Sequence, residues 1–295
     1  MAPSVASVLQ YTALAVLAYV LAGAPFLAVF TGSTAKLGGR SERKKEVHSF
    51  DRGEGLVVPE RNLSCKKHTY NTHVFSRDPL VVYIEGFLSD EEASHVVEMS
   101  EKKFEPSTVW TGGREHLDPT VRKSEKAQLD RDEIVKCIEE RARTFQGWRP
   151  FVFIEKLWSQ RYTKSGHYRH HYDWSSSTGT SGRISSFMVY LEANCIGGGT
   201  NFPRLARREG AWCRFVECGE EGEEEEGKYE GVTFKPIKGN AVYWENLRSD
   251  GSGYEESWHA GLPVKSGTKI GLNIWSWYQE GYVPAELEKQ NTAEM

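Results

Sequence analysis

The chain is 295 residues long, with 37 Lys and Arg against 41 Asp and Glu and a net charge of -4 at pH 7. That length suits one or two domains with a core that needs no staple. The charge excludes a generally basic nucleic-acid binder, which needs clustered positive side chains to release counterions. Aromatic residues at 12% exclude a disordered chain.

From Val5 to Phe30 no residue is charged, and Ala, Leu and Val dominate. As a helix this run would reach about 39 Å, more than the roughly 30 Å of a bilayer's hydrocarbon core. No Lys or Arg precedes it, and it is longer than the apolar heart of a secretory signal, about 7–15 residues. Residues 5–30 therefore read as a single-pass membrane anchor. Lys36, Arg40, Arg43, Lys44 and Lys45 follow the run and favour a cytosolic C-terminal part. Asn62-Leu63-Ser64 is an N-glycosylation acceptor and favours the lumen. Both orientations stand on the residues alone.

Residues 31–75 are polar and read as a stem, 76–282 as a globular domain with a core at 155–278, and 283–295 as a tail. Leu80 to Ile84 is strand-like. Ser89 with Glu92 forms a capping box that predicts a helix, and Leu88 and Ala93 stand where a hydrophobic staple would place them. Asp130 and Glu133 begin a second helix, with Ile134, Cys137, Ile138, Ala142 and Phe145 on one face. After Gly147 the spacing predicts strands near 151–162, 185–192, 211–217, 231–235, 240–244, 256–262 and 269–278. Two helices followed by a β-rich half predict an α+β domain built on an antiparallel sandwich or barrel. The acidic stretch from Glu217 to Glu230 reads as a solvated loop. Five cysteines (Cys65, Cys137, Cys195, Cys213, Cys218) are an odd count without metal-type spacing. Cys213 and Cys218 pair in an oxidising lumen or stay as buried thiols.

The chemistry concentrates in Gly166-His167-Tyr168-Arg169-His170-His171-Tyr172-Asp173. On a strand, side chains two apart share a face, so His171 and Asp173 converge while His170 points away. His259 stands on a later strand. Two imidazoles and one carboxylate on one side of an ion are the donor set of non-haem Fe(II) oxygenases. His167 and His171, four apart, would instead offer zinc one helical face, but Gly166 and the aromatic neighbours disfavour a helix. Lys269 lies ten residues beyond His259 on the next antiparallel strand. An inward lysine there requires an anion, such as the far carboxylate of a dicarboxylate chelator.

These residues belong to a longer series. Tyr162-x-x-x-Gly166-x-Tyr168-x-x-His171-x-Asp173, the run Arg183 to Leu191, Gly198-Gly199-Thr200-Asn201-Phe202-Pro203, Pro236 to Asn246, and Trp258-His259-Ala260-Gly261-Leu262-Pro263-Val264, closed by Lys269 and Trp275, resemble the prolyl 4-hydroxylase family of 2-oxoglutarate- and Fe(II)-dependent dioxygenases. The threonine of the glycine turn is at the third place rather than the family's fourth, and Trp277 stands where relatives can carry histidine.

The resemblance implies a double-stranded β-helix (jelly roll) with flanking helices, behind the N-terminal transmembrane helix. It implies Fe(II) on His171, Asp173 and His259, and 2-oxoglutarate held by Lys269, Tyr162 and Thr200. Tyr168, Arg183 and Trp275 would face a proline-containing peptide or protein. O2 would be the second co-substrate and L-ascorbate the supporting reductant. The implied reaction hydroxylates peptidyl proline while 2-oxoglutarate is decarboxylated to succinate and CO2, as in procollagen-proline 4-dioxygenases. Its secretory association implies an endoplasmic reticulum membrane with a lumenal domain. Competing readings are the same oxidation on another residue or a small molecule, a non-catalytic jelly roll binding peptide or sugar, and a zinc hydrolase built on His167.

Overall fold

A computed structural model describes residues 55–284, apart from 61, 112–113, 175–176, 178–179 and 219–228. The expected anchor at 5–30, the stem up to 54, most of the acidic stretch and the tail from 285 lie outside the described residues. Among the described residues no helix is long and apolar enough to cross a membrane.

The described chain is mostly β, with two α-helices. One antiparallel sheet orders Asn71–Arg77, Leu80–Glu85, Ala241–Glu245, Ser181–Gly197, Val264–Gln279, Trp158–Tyr162, Glu125–Gln128 and Glu105–Pro106, with Val152–Ile154 also paired to Val264–Gln279. A smaller sheet orders Val232–Phe234, Thr200–Phe202, His259–Gly261, His167–His171 and Arg122–Lys123. Strand alternation sorts the side chains into two layers. Phe187, Val189, Leu191, Ala241, Tyr243, Ile270, Leu272 and Ile274 pack with Val96, Ile138 and Ala142 of the helices. Their neighbours Tyr190, Val242 and Trp244 turn the other way and pack with Phe202, Val232 and Phe234 of the smaller sheet. Two facing antiparallel sheets with helices on one outer side are consistent with the jelly roll implied above. The inner space between the sheets is where the sequence-predicted site residues gather.

The first helix, α1 (Asp90–Glu101), starts as predicted. Glu92 donates its amide to Ser89 Oγ at 3.2 Å, and Ser89 donates its own to Glu92 Oε2 at 2.9 Å. Ser89→Ala is expected to lower stability by about 1 kcal/mol, read as a lower urea midpoint at unchanged slope. The second, α2 (Glu133–Phe145), is capped by Asp132 rather than Asp130. Asp132 Oδ1 accepts from the Val135 amide at 2.9 Å, while Asp130 is drawn off to Lys103.

Three expectations need correction. The stem ends earlier than residue 75. Leu56 and Val57 are buried, Leu56 bridges Glu155, and Asn71–Arg77 is a sheet strand. A disulfide joins Cys65 to Cys137 of α2. An isolated apolar pair such as Leu56-Val57 carries no periodicity, which is why composition hides it. The stretch 211–217 is not a strand but a 3-10 turn, Gly210–Arg214, followed by a lone bridge at Val216. Cys213 and Cys218 are disulfide-bonded with their Cα atoms 5.4 Å apart, whereas five extended residues would separate them by about 16 Å. The predicted strand 256–262 is a 3-10 turn, Glu255–Ser257, and then the short strand His259–Gly261. Cys195 remains a free thiol.

Candidate metal centre

The strands His167–His171 and His259–Gly261 run antiparallel, with His171 directly across from His259. Asp173 follows two residues beyond the strand end. One ligand atom from each of the three side chains lies within 4.8 Å of the others. His171 Nε2 is 3.7 Å from Asp173 Oδ1, and the two imidazole centroids are 4.3 Å apart.

The hydrogen bonds behind these side chains orient them. Nδ1 of His171 meets the Arg169 carbonyl at 2.8 Å, and Nδ1 of His259 meets the Ser257 carbonyl at 2.8 Å. A carbonyl only accepts, so each Nδ1 carries the proton and each Nε2 keeps its lone pair for a metal. Burial, reinforced by His259, pushes His171 down to about 3, and burial lowers His259 too, so both imidazoles are neutral. Burial opposes the charge on Asp173. In acid, where the imidazoles of His259 and His171 take up protons, they join the Arg183 guanidinium and a hydrogen bond from Ser186 in holding its carboxyl below the usual range. Asp173 Oδ2 accepts from Ser186 Oγ at 2.6 Å and from Trp275 Nε1 at 3.1 Å. Two neutral imidazoles and one carboxylate with a single free face fit Fe(II) and leave positions for further ligands.

The other two histidines of the cluster stay out. His167 lies on a strand, with Nδ1 against the Ser165 carbonyl at 3.0 Å. His170 Nε2 contacts Asn201 Oδ1 at 2.8 Å, and its ring stacks on Trp258. The helical zinc pair of His167 and His171 is therefore not formed.

Lys269 is 1% exposed, on the inner face of Val264–Gln279. No carboxylate among the described residues pairs with it. Its Nζ donates to the Gly198 carbonyl at 2.6 Å, and burial pushes its pKa down to about 8. Gly198 has φ +74°, and a Cβ there would sit 3.0 Å from Val264 Cγ2, so this turn needs glycine. Tyr162 is the register partner of Lys269, with its ring centroid 5.3 Å from Nζ. Thr200 Oγ1 shares a 2.9 Å hydrogen bond with the Tyr190 hydroxyl, and the Tyr190 ring is 5.4 Å from Nζ. The structure thus brings Lys269, Tyr162 and Thr200 together and adds Tyr190. A buried ammonium without a counter-charge among the described residues is costly unless it meets an anion.

On the other side of the centre, Tyr168 stacks on His171 at 3.7 Å, which a register shift between them permits. Arg122 lies 4.5 Å over the Tyr168 ring. Arg183 makes a two-pronged ion pair with Glu155, at 2.6 and 2.9 Å, and lies 3.9 Å over the Trp275 ring. Trp275 reaches the metal carboxylate through its indole N–H. Trp277, by contrast, packs with Leu56 and Phe153. Sequence reading missed Glu155, Ser186, Tyr190 and Asn246. Ser186 and Tyr190 share the inner parity of Ser181–Gly197, which was the available signal.

Comparison with known proteins agrees with this geometry. A family model for the 2OG-Fe(II) oxygenase superfamily matches residues 157–277. Prolyl 4-hydroxylase 5 of Arabidopsis thaliana is 32% identical over 214 residues, covering 68% of this chain and 69% of the relative. Prolyl 4-hydroxylase subunit alpha-2 of Caenorhabditis elegans is 27% identical over 209 residues, but the match covers only 34% of that longer protein. Among solved structures, the viral collagen prolyl hydroxylase of Paramecium Bursaria Chlorella virus-1, in its 2OG complex, matches with a TM-score of 0.50 and 27% identity. That match covers 67% of this chain and 96% of the viral one.

Proposed function

Because the chain belongs to the prolyl 4-hydroxylase family of 2-oxoglutarate- and Fe(II)-dependent oxygenases, we propose that it hydroxylates proline in a peptide or protein substrate. The observation that carries this reading is the pairing of a two-histidine, one-carboxylate centre with a buried lysine that has no counter-charge among the described residues. When bound, Fe(II) and 2-oxoglutarate supply the oxidising chemistry with O2, and ascorbate serves as the supporting reductant.

The chain's own residues do the rest. His171, Asp173 and His259 offer three donors from one side. Lys269 holds the distal carboxylate of 2-oxoglutarate, with Tyr162, Thr200 and Tyr190 around it. Tyr168 stacks on His171 and Trp275 donates to Asp173, so aromatic side chains flank the centre. Tyr168, Arg183 and Trp275 line the substrate side, and Arg183 is kept in place by Glu155.

The reading extends to location. Two disulfides in one domain favour an oxidising compartment, and the Asn62 acceptor is exposed. Both support a domain in the endoplasmic reticulum lumen, behind the anchor expected at residues 5–30. A glycan on Asn62 is the expected finding for chain purified from a secretory host.

The test of activity uses the full chain with proline-rich peptides, Fe(II), 2-oxoglutarate, O2 and ascorbate. Succinate release matched by gain of one oxygen atom on proline, both lost on omitting Fe(II) or 2-oxoglutarate, is expected. Oxygen gained on another residue would replace the proline reading. Hydrolysis without succinate would replace the oxygenase reading.

A further inference from the structure

Asp173 is held by a hydrogen-bond relay whose far end lies just past Ala241–Glu245, in the other sheet from the strands of His171 and His259. Asn246 Nδ2 donates to Ser186 Oγ at 2.9 Å, and Ser186 Oγ donates to Asp173 Oδ2 at 2.6 Å. Asn246 and Ser186 are both fully buried. The direction of this relay is forced. An ionised carboxylate only accepts, so the Ser186 proton must point at Asp173. The Ser186 oxygen is then free only to accept, so Asn246 must present its NH2 group. That orientation leaves Asn246 Oδ1 buried with no hydrogen-bond partner among the described residues. A stranded buried acceptor of this kind is destabilising. Turning the amide over would face its oxygen to Ser186 and let the hydroxyl swing away from Asp173.

We propose that Asn246, acting through Ser186, is a positioning residue for the metal: it pins the second oxygen of Asp173 so that Oδ1 alone faces His171 and His259. Asn246 touches neither substrate nor metal and works only by fixing the polarity of the Ser186 hydroxyl. The inference rests on the metal-centre reading given above.

The test measures Co(II) binding to the full chain without oxygen, from the visible d–d bands, beside urea unfolding of the metal-free chain. Ser186→Ala is expected to weaken Co(II) binding by about 10–100-fold, the range for outer hydrogen-bond partners of metal ligands. Asn246→Leu removes both the donor and the stranded acceptor. It is expected to weaken Co(II) binding about tenfold while leaving the metal-free chain as stable as before, or more so. A purely structural asparagine would instead lower stability and leave metal affinity unchanged. The double variant is expected to bind Co(II) no more weakly than Ser186→Ala alone, because both changes break one relay. Additive losses, or unchanged affinity in Asn246→Leu, would overturn the proposal. Failure of the unaltered chain to bind Co(II) would overturn the metal-centre reading itself.

Discussion

Asp173→Asn is expected to abolish Fe(II)-dependent succinate release and to weaken anaerobic Fe(II) binding by more than about a hundredfold. The substitution keeps the shape of the side chain and removes its charge. It also leaves the amide without a good orientation. With its NH2 toward Ser186 and Trp275, three donors face one another; with its NH2 toward His171, a donor replaces the metal-facing oxygen. Losing an outer partner alone is worth about 10–100-fold, so losing the anionic ligand exceeds that range. Calorimetric titration with Fe(II), beside the succinate assay, reads both quantities. Turnover that survives in Asp173→Asn, or in His171→Ala, would remove the iron assignment.

Lys269→Met is expected to move two quantities in opposite directions. The methionine fills a similar volume without charge, so affinity for 2-oxoglutarate falls by more than about a hundredfold. Losing one partner of a buried pair is worth about 3–5 kcal/mol. The metal-free, ligand-free chain is expected to become more stable. Unfolded, Lys269 holds its proton up to 10.5, whereas in the fold burial makes it release that proton at about 8. Between those values the folded state binds fewer protons, so the penalty is full below pH 8 and fades as pH rises toward 10.5. The gap from 10.5 to about 8 corresponds to roughly 3 kcal/mol, the largest gain the substitution could release. Urea midpoints from pH 7 to 10 should rise in the unaltered chain relative to Lys269→Met. Affinity of the unaltered chain for 2-oxoglutarate should fall above pH 8 as the ammonium is lost. A destabilised Lys269→Met with intact co-substrate affinity would remove the anchoring role.

The parts of this molecule that were legible in the sequence are those governed by local period or by charge. The Ser89 box is a four-residue pattern, and the inward parity of Lys269 follows from counting along one strand. His171, Asp173 and His259 were legible because few other residue types ligate iron. The hidden parts depend on residues brought together from afar. Glu155 pairs with Arg183, and Leu56 bridges to Glu155, yet neither shows a local signature. Ser186 and Tyr190 in Ser181–Gly197, and Asn246 just past Ala241–Glu245, are neutral polar residues that parity could place inward but composition does not set apart from core fillers. The same holds for Cys65 and Cys137, whose pairing across 72 residues has no local spacing to betray it. The stretch 211–217 reads as a strand because Trp212, Phe215 and Val216 suit one, while the disulfide between Cys213 and Cys218 overrides that preference.

The pairing of Ser181–Gly197 with Val264–Gln279 also bears on how this chain can change in length. Along Val264–Gln279, Lys269 lies opposite Ala193, and Trp275 lies opposite Ser186. Six extended residues set those two ends about 20 Å apart, so the strand acts as a ruler between the buried Lys269 ammonium and the Asp173 carboxylate. Inserting or deleting one residue between them would turn one end of the ruler toward the helices. Indels there would separate the ammonium from the iron ligands, whichever side chains were kept. The exposed stretch 206–209 lies off both strands and has no such duty, and new residues added there would lengthen that loop without moving either mark on the ruler.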